Sequence, residues 1–337
     1  MNASNPGTFV ISLDFELYWG VRDVVQLKDY RQNLLGVRQA VPAMLRLFTD
    51  YELRVTWATV GLLFFDEKAD MLAHLPVVRP AYSNPLLSPY SSMLSNVGED
   101  ERSDPYHFGR SLLRQIQRTP GQEIASHTFC HYYCLERGQT AESFYHDLLA
   151  AVRTARTLDM EIKSLVFPRN QFNPEYVDIC RELGITSYRG NENSWIYEGR
   201  NEEQQTLYKR GARLLDAYVN LSGQHSHNLD DIARSFPYNI PASRFLRPWS
   251  ANALLRPLEG LRLRRILAGM EHAAQHGLVY HLWWHPHNFG INLPQNIAIL
   301  QRIADHYKAL QTQYGMRSWS MADIADHLQS RVSAFSA

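Results

Sequence analysis

The sequence predicts an α/β fold built on a parallel sheet, and three consecutive segments carry that prediction. Residues 9–13 form an apolar run typical of a buried strand, residues 29–51 carry the apolar stripe of a helix, and residues 53–61 form a β-branched apolar run that ends in Gly. A strand, a helix and a strand in this order form a parallel unit with a right-handed crossover. Pro42 lies inside the helical segment and predicts a break or a second helix there.

Composition narrows the class of protein. The 337 residues are 45% hydrophobic, which suits one large α/β domain or two ordinary ones. Basic and acidic residues balance at 34 each, so charge gives no support for a nucleic-acid partner. No apolar run is long enough to span a bilayer, and the first residues lack the pattern of a signal peptide. The 3 cysteines are too few for a disulfide framework, and we therefore expect a cytoplasmic protein.

Two carboxylates follow the first apolar run. Asp14 and Glu16 are two residues apart, so on a strand they project to the same side. Two carboxylates on one face are unfavourable unless a positive charge lies between them, and a metal ion would supply that charge. The alternative is a strand that simply runs out into a polar loop.

The remaining chain alternates between helical and strand patterns after one interruption. Residues 66–104 are rich in Pro and Ser with little periodicity, and they predict an insertion at the rim of the sheet with short helices at most. The later predicted helices are 108–117, 141–157, 174–183, 261–276 and 295–314. The later predicted strands are 121–127, 163–167, 185–189, 214–221 and 278–285, with a short segment at 316–321.

Two histidines four residues apart follow the third strand. On a helical turn or a tight loop His127 and His131 face the same way, so both imidazoles can reach one metal ion. Two histidines satisfied by ordinary hydrogen bonds are the first alternative. The second is a structural zinc that also uses Cys130 and Cys134, but one short segment cannot wrap an ion tetrahedrally. We therefore predict that the two cysteines are packing residues.

Two further residues end apolar strands. Arg169 follows the strand at 163–167, where its guanidinium could hold a nearby carboxylate ionised, unless it is simply a surface Arg that begins a loop. His285 ends the strand at 278–285, on which His281, Trp283 and His285 share one face. His281 lies deeper in the strand and is predicted to be a hydrogen-bonded core residue, and His287 is the rival of His285 in the next turn.

Taken in order, these motifs resemble those of the NodB-homology polysaccharide deacetylases, carbohydrate esterase family 4. Asp14-Phe15-Glu16 resembles their first motif, in which many members have two adjacent Asp residues. The stretch from His127 to His131 is similar to their His-(Ser/Thr)-x-x-His motif, residues 167–176 to their Arg motif, and His285 to the His of their last strand. The resemblance covers roughly residues 8–65 and 105–325, and the insertion lies outside it.

The resemblance implies a distorted (β/α)7 TIM-like barrel over residues 1–337, with a rim insertion after the second strand. It also implies a divalent metal held by Glu16, His127 and His131, for which zinc is the predicted ion and iron or cobalt are alternatives. Asp14 would act as base, His285 as acid, and Arg169 would fix Asp14, although Asp14 and Glu16 could exchange roles. The substrate-pocket residues predicted alongside them are Trp195, Trp284 and His287.

The predicted activity is metal-dependent hydrolysis of the N-acyl amide of an amino sugar or sugar precursor in cell-surface polysaccharide biosynthesis. A hydrolase of a small cyclic imide or ureide on the same fold is the alternative enzyme. A carbohydrate-binding homologue without catalysis is the alternative of another class, and a complete set of acid, base and metal residues counts against it. The expected partner is a small amide substrate.

Overall fold

The structure is a computed structural model that describes residues 6–91, 93–192, 223–252 and 256–336. Trp195 and the strand predicted at 214–221 lie outside these ranges. Within them, no helix has both the length and the apolar character that a membrane span requires.

The strands form one curled sheet in which every pairing is parallel. In the described ranges the strands are β1 Thr8–Phe15, β2 Val55–Thr59, β3 Gln122–Ser126, β4 Ser164–Val166, β5 Ser187–Arg189, β6 Tyr238–Asn239, β7 Arg244–Phe245, β8 Val279–Trp284 and β9 Arg317–Trp319. They follow the order β6-β5-β4-β3-β2-β1-β8-β7, and β9 also pairs with β1. This parallel α/β arrangement is the predicted fold class.

A short segment joins the two edges of this sheet. β6 pairs with β5 and β7 pairs with β8, and only four residues separate β6 from β7. Within that link the backbone N–H of Ala242 donates to the carbonyl of Gly190, 2.9 Å away, and the N–H of Ser243 donates to the carbonyl of His281, 2.8 Å away. The link therefore bonds to both edges, and the sheet closes into a barrel of the TIM type.

Helices follow most strands and cover the outside of the barrel. In the described ranges they are α1 Leu27–Asp50, α2 Lys68–Ala73, α3 Met93–Asn96, α4 Arg110–Arg118, α5 Ala141–Arg156, α6 Val177–Glu182, α7 Leu229–Ile232, α8 Glu259–His276, α9 Leu293–Tyr314 and α10 Met321–Ser336. The predicted break at Pro42 is wrong, because α1 continues through it. Val41, Leu45 and Phe48 keep one face of α1 buried on both sides of the proline, and this packing offsets the lost hydrogen bond.

The two faces of β1 serve different layers of the protein. Phe9, Ile11, Leu13 and Phe15 face outward into the main apolar core beneath the helices. Val10 faces inward and packs with inner residues of other strands and with the C-terminal helix α10, which fills the amino end of the barrel. Further along the same inner face come Ser12 and Asp14. The barrel interior therefore changes from apolar to polar towards the carboxyl ends of the strands.

The predicted insertion, residues 66–104, contains α2, α3 and the 3-10 turn Pro85–Leu87, in agreement with the predicted absence of long elements. It rests against loops at the carboxyl edge of the barrel. The Tyr82 hydroxyl accepts a hydrogen bond from the backbone N–H of Tyr133, 2.8 Å away, and Arg22 donates to the carbonyl of Leu87. The insertion therefore supports the loop that carries His131.

Candidate metal and catalytic site

A cavity of about 440 Å³ opens at the carboxyl edge of the barrel, where the functional residues of α/β barrels normally lie. Six of the predicted site residues line it: Asp14, Glu16, His127, His131, Arg169 and His285. The lining also includes Gly20, Val24, Asn170 and Trp283, which the sequence reasoning did not choose.

Glu16 lies directly after β1 and meets both histidines of the predicted metal motif. Its Oε2 atom is 3.3 Å from Nε2 of His127 and 3.2 Å from Nε2 of His131. All three side chains are buried, and they are the group in the described ranges whose ligand atoms converge closely enough to hold a metal ion. Burial acts to raise the pKa of Glu16, but the neighbouring imidazoles of His285, His127 and His131 outweigh it, so that pKa lies well below the usual value.

The two histidines converge through an irregular loop that follows β3, because residues 127–131 form no helical turn. Thr128 and His131 have φ angles of 61° and 59°, in the left-handed region that non-glycine residues rarely adopt. Each such residue costs about 1–3 kcal/mol and is retained where the surroundings hold it. Asp147 on α5 supplies part of that hold, since its carboxylate accepts hydrogen bonds from the N–H groups of Phe129 at 2.7 Å and Cys130 at 3.2 Å.

The donor atoms of this group suit a cation. His127 Nδ1 lies 2.9 Å from the carbonyl oxygen of Val166, and a carbonyl can only accept, so Nδ1 carries the proton. In the neutral ring, Nε2, which faces the Glu16 carboxylate, is therefore the nitrogen that can bind a metal ion. Burial lowers the pKa of His131 to about 3, so that ring is neutral. A carboxylate and two imidazole nitrogens that converge in this way are ligand types that suit a divalent cation.

The spacing also suits zinc. Zinc binds His nitrogen at about 2.0–2.1 Å and carboxylate oxygen at about 2.0–2.2 Å in a tetrahedron, which separates two ligand atoms by about 3.4 Å. The separations of 3.2 and 3.3 Å between Glu16 and the two histidines are close to that value. A histidine that binds a metal usually donates a hydrogen bond from its other ring nitrogen, and His127 donates such a bond from Nδ1 to the Val166 carbonyl.

Asp14 is paired with an arginine that the sequence reasoning missed. Arg189, the last residue of β5, donates from Nη1 to Asp14 Oδ1 at 2.7 Å and from Nη2 to Oδ2 at 2.8 Å. Both side chains are almost fully buried. Burial acts to raise the pKa of Asp14, but the Arg189 guanidinium outweighs it, so the pKa of Asp14 is lowered. The bidentate pair therefore keeps this carboxylate ionised and fixes its plane.

The prediction that Arg169 fixes Asp14 is therefore corrected. Arg169 lies on the 3-10 turn Pro168–Asn170 after β4, with a φ of 54°, and its guanidinium binds Asp23 instead. It still lines the cavity. The left-handed backbone directs the Arg169 side chain away from Asp14. The partner of Asp14 is Arg189, which lies at the end of the next strand, β5.

A buried relay of hydrogen bonds supports the Asp14–Arg189 pair from below. Ser12 Oγ accepts from Arg189 Nη1 at 3.0 Å and lies 2.8 Å from His281 Nε2. His281 Nδ1 faces the carbonyl of Ile240 at 3.3 Å and must donate to it, so Nε2 is the acceptor and the Ser12 hydroxyl donates. Burial and the Arg189 charge lower the pKa of His281 to about 3, which keeps it neutral. His281 is thus the hydrogen-bonded core residue that the sequence predicted.

His285 stands between the two carboxylates. Its Nε2 atom is 3.7 Å from Asp14 Oδ2 and 3.6 Å from Glu16 Oε1, and the ring is partly exposed to the cavity. His287 stacks on it with ring centroids 4.9 Å apart, but His287 is buried and does not line the cavity. Burial and the neighbouring His285 lower the pKa of His287 to about 3. His285 is therefore the histidine that a ligand in the cavity would meet.

Of the two adjacent tryptophans of β8, Trp283 and not the predicted Trp284 lines the cavity. Trp284 is fully buried and packs against Phe48 and Phe289 on the outer face of the sheet, so its assignment to the pocket is wrong. Trp283 lines the cavity instead, and the Arg189 guanidinium lies over its ring at 4.2 Å. Strand alternation, which sets Trp283 on the same face as His285, was the signal that could have identified it.

The cysteines lie in the core, as predicted. Cys130 and Cys134 are buried and free of disulfides, and neither belongs to the convergent group of ligand atoms in the described ranges. Desolvation raises the pKa of both thiols well above the usual value, which disfavours the thiolate that a zinc ion would need.

Comparison with solved structures identifies the fold. A putative polysaccharide deacetylase from Mycobacterium smegmatis superposes with a TM-score of 0.60 at 14% identity, covering 98% of this chain and 93% of the other. A probable polysaccharide deacetylase from Pseudomonas aeruginosa PAO1 gives 0.53 at 13% identity, covering 95% and 90%. Puue allantoinase gives 0.53 at 12% identity, covering 96% and 90%.

These likenesses confirm the predicted barrel fold, which this chain shares with two structures described as polysaccharide deacetylases. At this level of identity they show the fold. No protein-family model matches the sequence, and the comparison with curated proteins finds no match either. The assignment of an activity therefore depends on the chemistry of the cavity.

Proposed function

We propose that this protein is a metal-dependent hydrolase that removes the N-acyl group, acetyl in the simplest case, from an amino sugar or sugar precursor in cell-surface polysaccharide biosynthesis. One observation carries the proposal. The buried Glu16 converges with Nε2 of His127 and Nε2 of His131 in a cavity that also contains His285 and an ionised Asp14. Amide hydrolysis needs an electrophile, a base and an acid, and these groups could supply all three.

Glu16, His127 and His131 would hold the metal, for which zinc fits the ligand types and spacing best. When bound, a divalent ion there supplies Lewis acidity, which polarises the acyl oxygen and lowers the pKa of a water molecule. Asp14 would accept the proton of the attacking water at one of its carboxylate oxygens. Arg189 keeps Asp14 ionised and oriented for that transfer.

His285 would donate a proton to the departing nitrogen. An amine leaves poorly unless it is protonated as the carbon–nitrogen bond breaks, and an imidazole titrates in the useful range without a large shift. Its place 3.7 Å from Asp14 would allow the proton taken from water to return to the leaving group through the same cavity. The buried and neutral His287 behind it would limit the positions that the His285 ring can adopt.

A hydrolase of a cyclic imide or ureide is the second candidate, and the superposition on Puue allantoinase is the observation that favours it. The same metal, base and acid would open a small cyclic amide. The two candidates differ in the substrate and not in the chemistry. For either one, a reducing compartment such as the cytoplasm suits the three buried free cysteines.

The test is a substrate screen on zinc-loaded protein. N-acetylated amino sugars are compared with allantoin, hydantoin and dihydrouracil, and amine release or ring opening is measured beside elemental analysis. We expect about one metal per chain and activity on an N-acetyl sugar, both lost in His127→Ala. Wild-type protein that binds no metal, or activity that survives in His127→Ala, would overturn the proposal. Turnover of the cyclic compounds alone would establish the second candidate.

A further inference from the structure

Asn170 lines the cavity beside the proposed base, and the proposed hydrolysis gives it no role. Arg189 Nη2 donates to Asn170 Oδ1 at 3.2 Å and to Asp14 Oδ2 at 2.8 Å, so one guanidinium nitrogen bonds to both side chains. Asp14 Oδ2 is also the oxygen that faces His285 Nε2, at 3.7 Å. The Asn170 amide is therefore a neighbour of the carboxylate oxygen on which the reaction depends.

The contact with Arg189 fixes the orientation of the Asn170 amide. An arginine can only donate, so the atom that it meets must be the amide oxygen, and the amide nitrogen Nδ2 is then the opposite end. Asn170 is half-buried, and within the described ranges no protein group accepts a hydrogen bond from its Nδ2. The N–H donors of Nδ2 are thus available to a ligand in the cavity.

The backbone of Asn170 is held as well as its side chain. Its φ is 53°, in the left-handed region that asparagine tolerates better than most other non-glycine residues. Its N–H donates to the carbonyl of Phe167 at 3.0 Å, and its carbonyl accepts from Asn191 Nδ2 at 3.1 Å. Together with the Arg189 contact, these bonds orient the amide before a ligand arrives, which reduces the entropy lost on binding.

We propose that Asn170 Nδ2 donates a hydrogen bond to the carbonyl oxygen of the amide that is hydrolysed. The inference rests on the proposed function and adds to it a residue that binds the substrate. Asp14 would take the proton of the attacking water, so a donor held by the same arginine nitrogen lies near the carbon that this water attacks. The carbonyl oxygen is the acceptor on that carbon, and it gains negative charge during the attack. It has two lone pairs, so it can accept from Asn170 and leave the other for the metal.

Asn170 could instead act only by holding Arg189 through Oδ1, and two substitutions separate these roles. Asn170→Gly removes both ends of the amide and suits the left-handed backbone. Asn170→Asp keeps an oxygen for Arg189 but replaces the N–H donors with a second oxygen. Asn228→Asp is the matched control, because Asn228 Oδ1 also accepts a hydrogen bond, from the N–H of Asp230 at 2.9 Å, on an exposed residue outside the cavity lining.

The experiment measures kcat and KM across pH for zinc-loaded wild type and the three variants, with N-acetylglucosamine and allantoin as substrates. We expect Asn170→Gly and Asn170→Asp to lower kcat by about 10²- to 10³-fold, the usual loss for one donor to a developing oxyanion. The acid limb of Asn170→Gly should stay in place, because Arg189 keeps both bonds to Asp14, and Asn228→Asp should match wild type. Full activity in Asn170→Asp, or a loss in Asn170→Gly that a shifted acid limb accounts for, overturns the proposal.

Calorimetric binding separates this inference from the proposed function. The probes are N-acetylglucosamine and N-ethylglucosamine, in which a methylene group replaces the acyl carbonyl. If the N-acetyl sugar is bound but not hydrolysed, the deacetylase proposal fails. An affinity for that sugar that falls about 2- to 10-fold in Asn170→Gly, with no change for the N-ethyl sugar, still supports the donor. Equal affinity of both proteins for the N-acetyl sugar, or a wild type that binds neither it nor allantoin, refutes the donor. Asn170→Asp serves as the test variant if Asn170→Gly does not fold.

Discussion

Replacing Arg189 with Met tests the buried ion pair on which the proposed base depends. The change removes the two hydrogen bonds of 2.7 and 2.8 Å to Asp14, and also those to Ser12 and Asn170. Asp14 is only 3% exposed, so water can replace few of these bonds. Removing one partner of a buried ion pair typically costs about 3–5 kcal/mol, because the remaining charge is left uncompensated. We expect a loss of that size in the free energy of unfolding near neutral pH.

The loss should depend on pH, and its sign follows from the pKa of Asp14. In wild type that pKa is lowered, so the pair stabilises the fold above the ordinary Asp value of about 3.9 and this contribution fades as the pH falls. In Arg189→Met, burial, which is the largest influence on Asp14, acts to raise its pKa against the weaker effects of His127 and His285. The folded variant is then penalised as the pH rises above the ordinary value. The difference between the two proteins should therefore grow from pH 3 to pH 7.

The measurements are urea unfolding across this pH range and the pH dependence of kcat/KM. The acid limb of the rate profile should move to higher pH in Arg189→Met, because Asp14 must be ionised to act as base. Asp14→Asn in both backgrounds completes a double-mutant cycle. Once Asp14 carries no charge, removing Arg189 should cost less than it does alone.

Arg169→Met is the comparison that decides between the two arginines. It leaves the hydrogen bonds between Asp14 and Arg189 intact, so the acid limb of the rate profile should not change. Stability is not the readout for this variant, because the change also removes the ion pair with the buried Asp23. If Arg169→Met shifts the acid limb and Arg189→Met does not, the pairing described here is wrong. If Arg189→Met costs less than about 1 kcal/mol at neutral pH, the pair is not the support that we infer.

Three further predictions concern the metal, the acid and the insertion. Elemental analysis should show that His127→Ala loses the metal and that Cys130→Ser keeps it, because burial keeps the Cys130 thiol protonated. Metal loss from folded Cys130→Ser would favour a cysteine-containing site. His285→Ala should lower turnover about 10²- to 10⁴-fold while the metal is retained, and His287→Ala should lower it much less. Steady-state rates are measured beside metal analysis, and a larger loss in His287→Ala than in His285→Ala would contradict the assignment of the acid. Tyr82→Phe leaves the buried N–H of Tyr133 without an acceptor and should cost about 1–3 kcal/mol in urea unfolding, so an unchanged midpoint would show that the insertion does not brace this loop.

The metal motif was predictable because strand geometry and sheet topology act locally. Residues at strand ends of a parallel sheet meet at one edge, so Glu16 after β1 and His127 after β3 converge in any barrel with these strands as near neighbours. The period of two along β8 likewise set His281, Trp283 and His285 on the inner face. What this reasoning could not give was the conformation of the loop, in which Thr128 and His131 adopt left-handed angles without any glycine to signal them.

The partner of Asp14 was not predictable, because it depends on the register between strands. Val166 and Arg189 are register partners on neighbouring strands, so Arg189 ends β5 level with the end of β4 and close to Arg169 in the next turn. Both arginines look alike in sequence as strand-end cations. The two arginines differ in that the left-handed backbone at Arg169 and Asn170 directs Arg169 to Asp23. No sequence pattern predicts that backbone conformation.

The charges around the two carboxylates bear on which would hold the metal, a choice that the sequence left open. Arg189 donates to both oxygens of Asp14, and a cation bound there would meet a guanidinium at close range. Within the described ranges no arginine pairs with Glu16, whose Oε2 faces Nε2 of His127 and Nε2 of His131 instead. A divalent ion is therefore attracted to Glu16 and repelled from the Asp14 pair. This asymmetry favours Glu16 as the ligand and leaves Asp14 ionised and open to accept a proton.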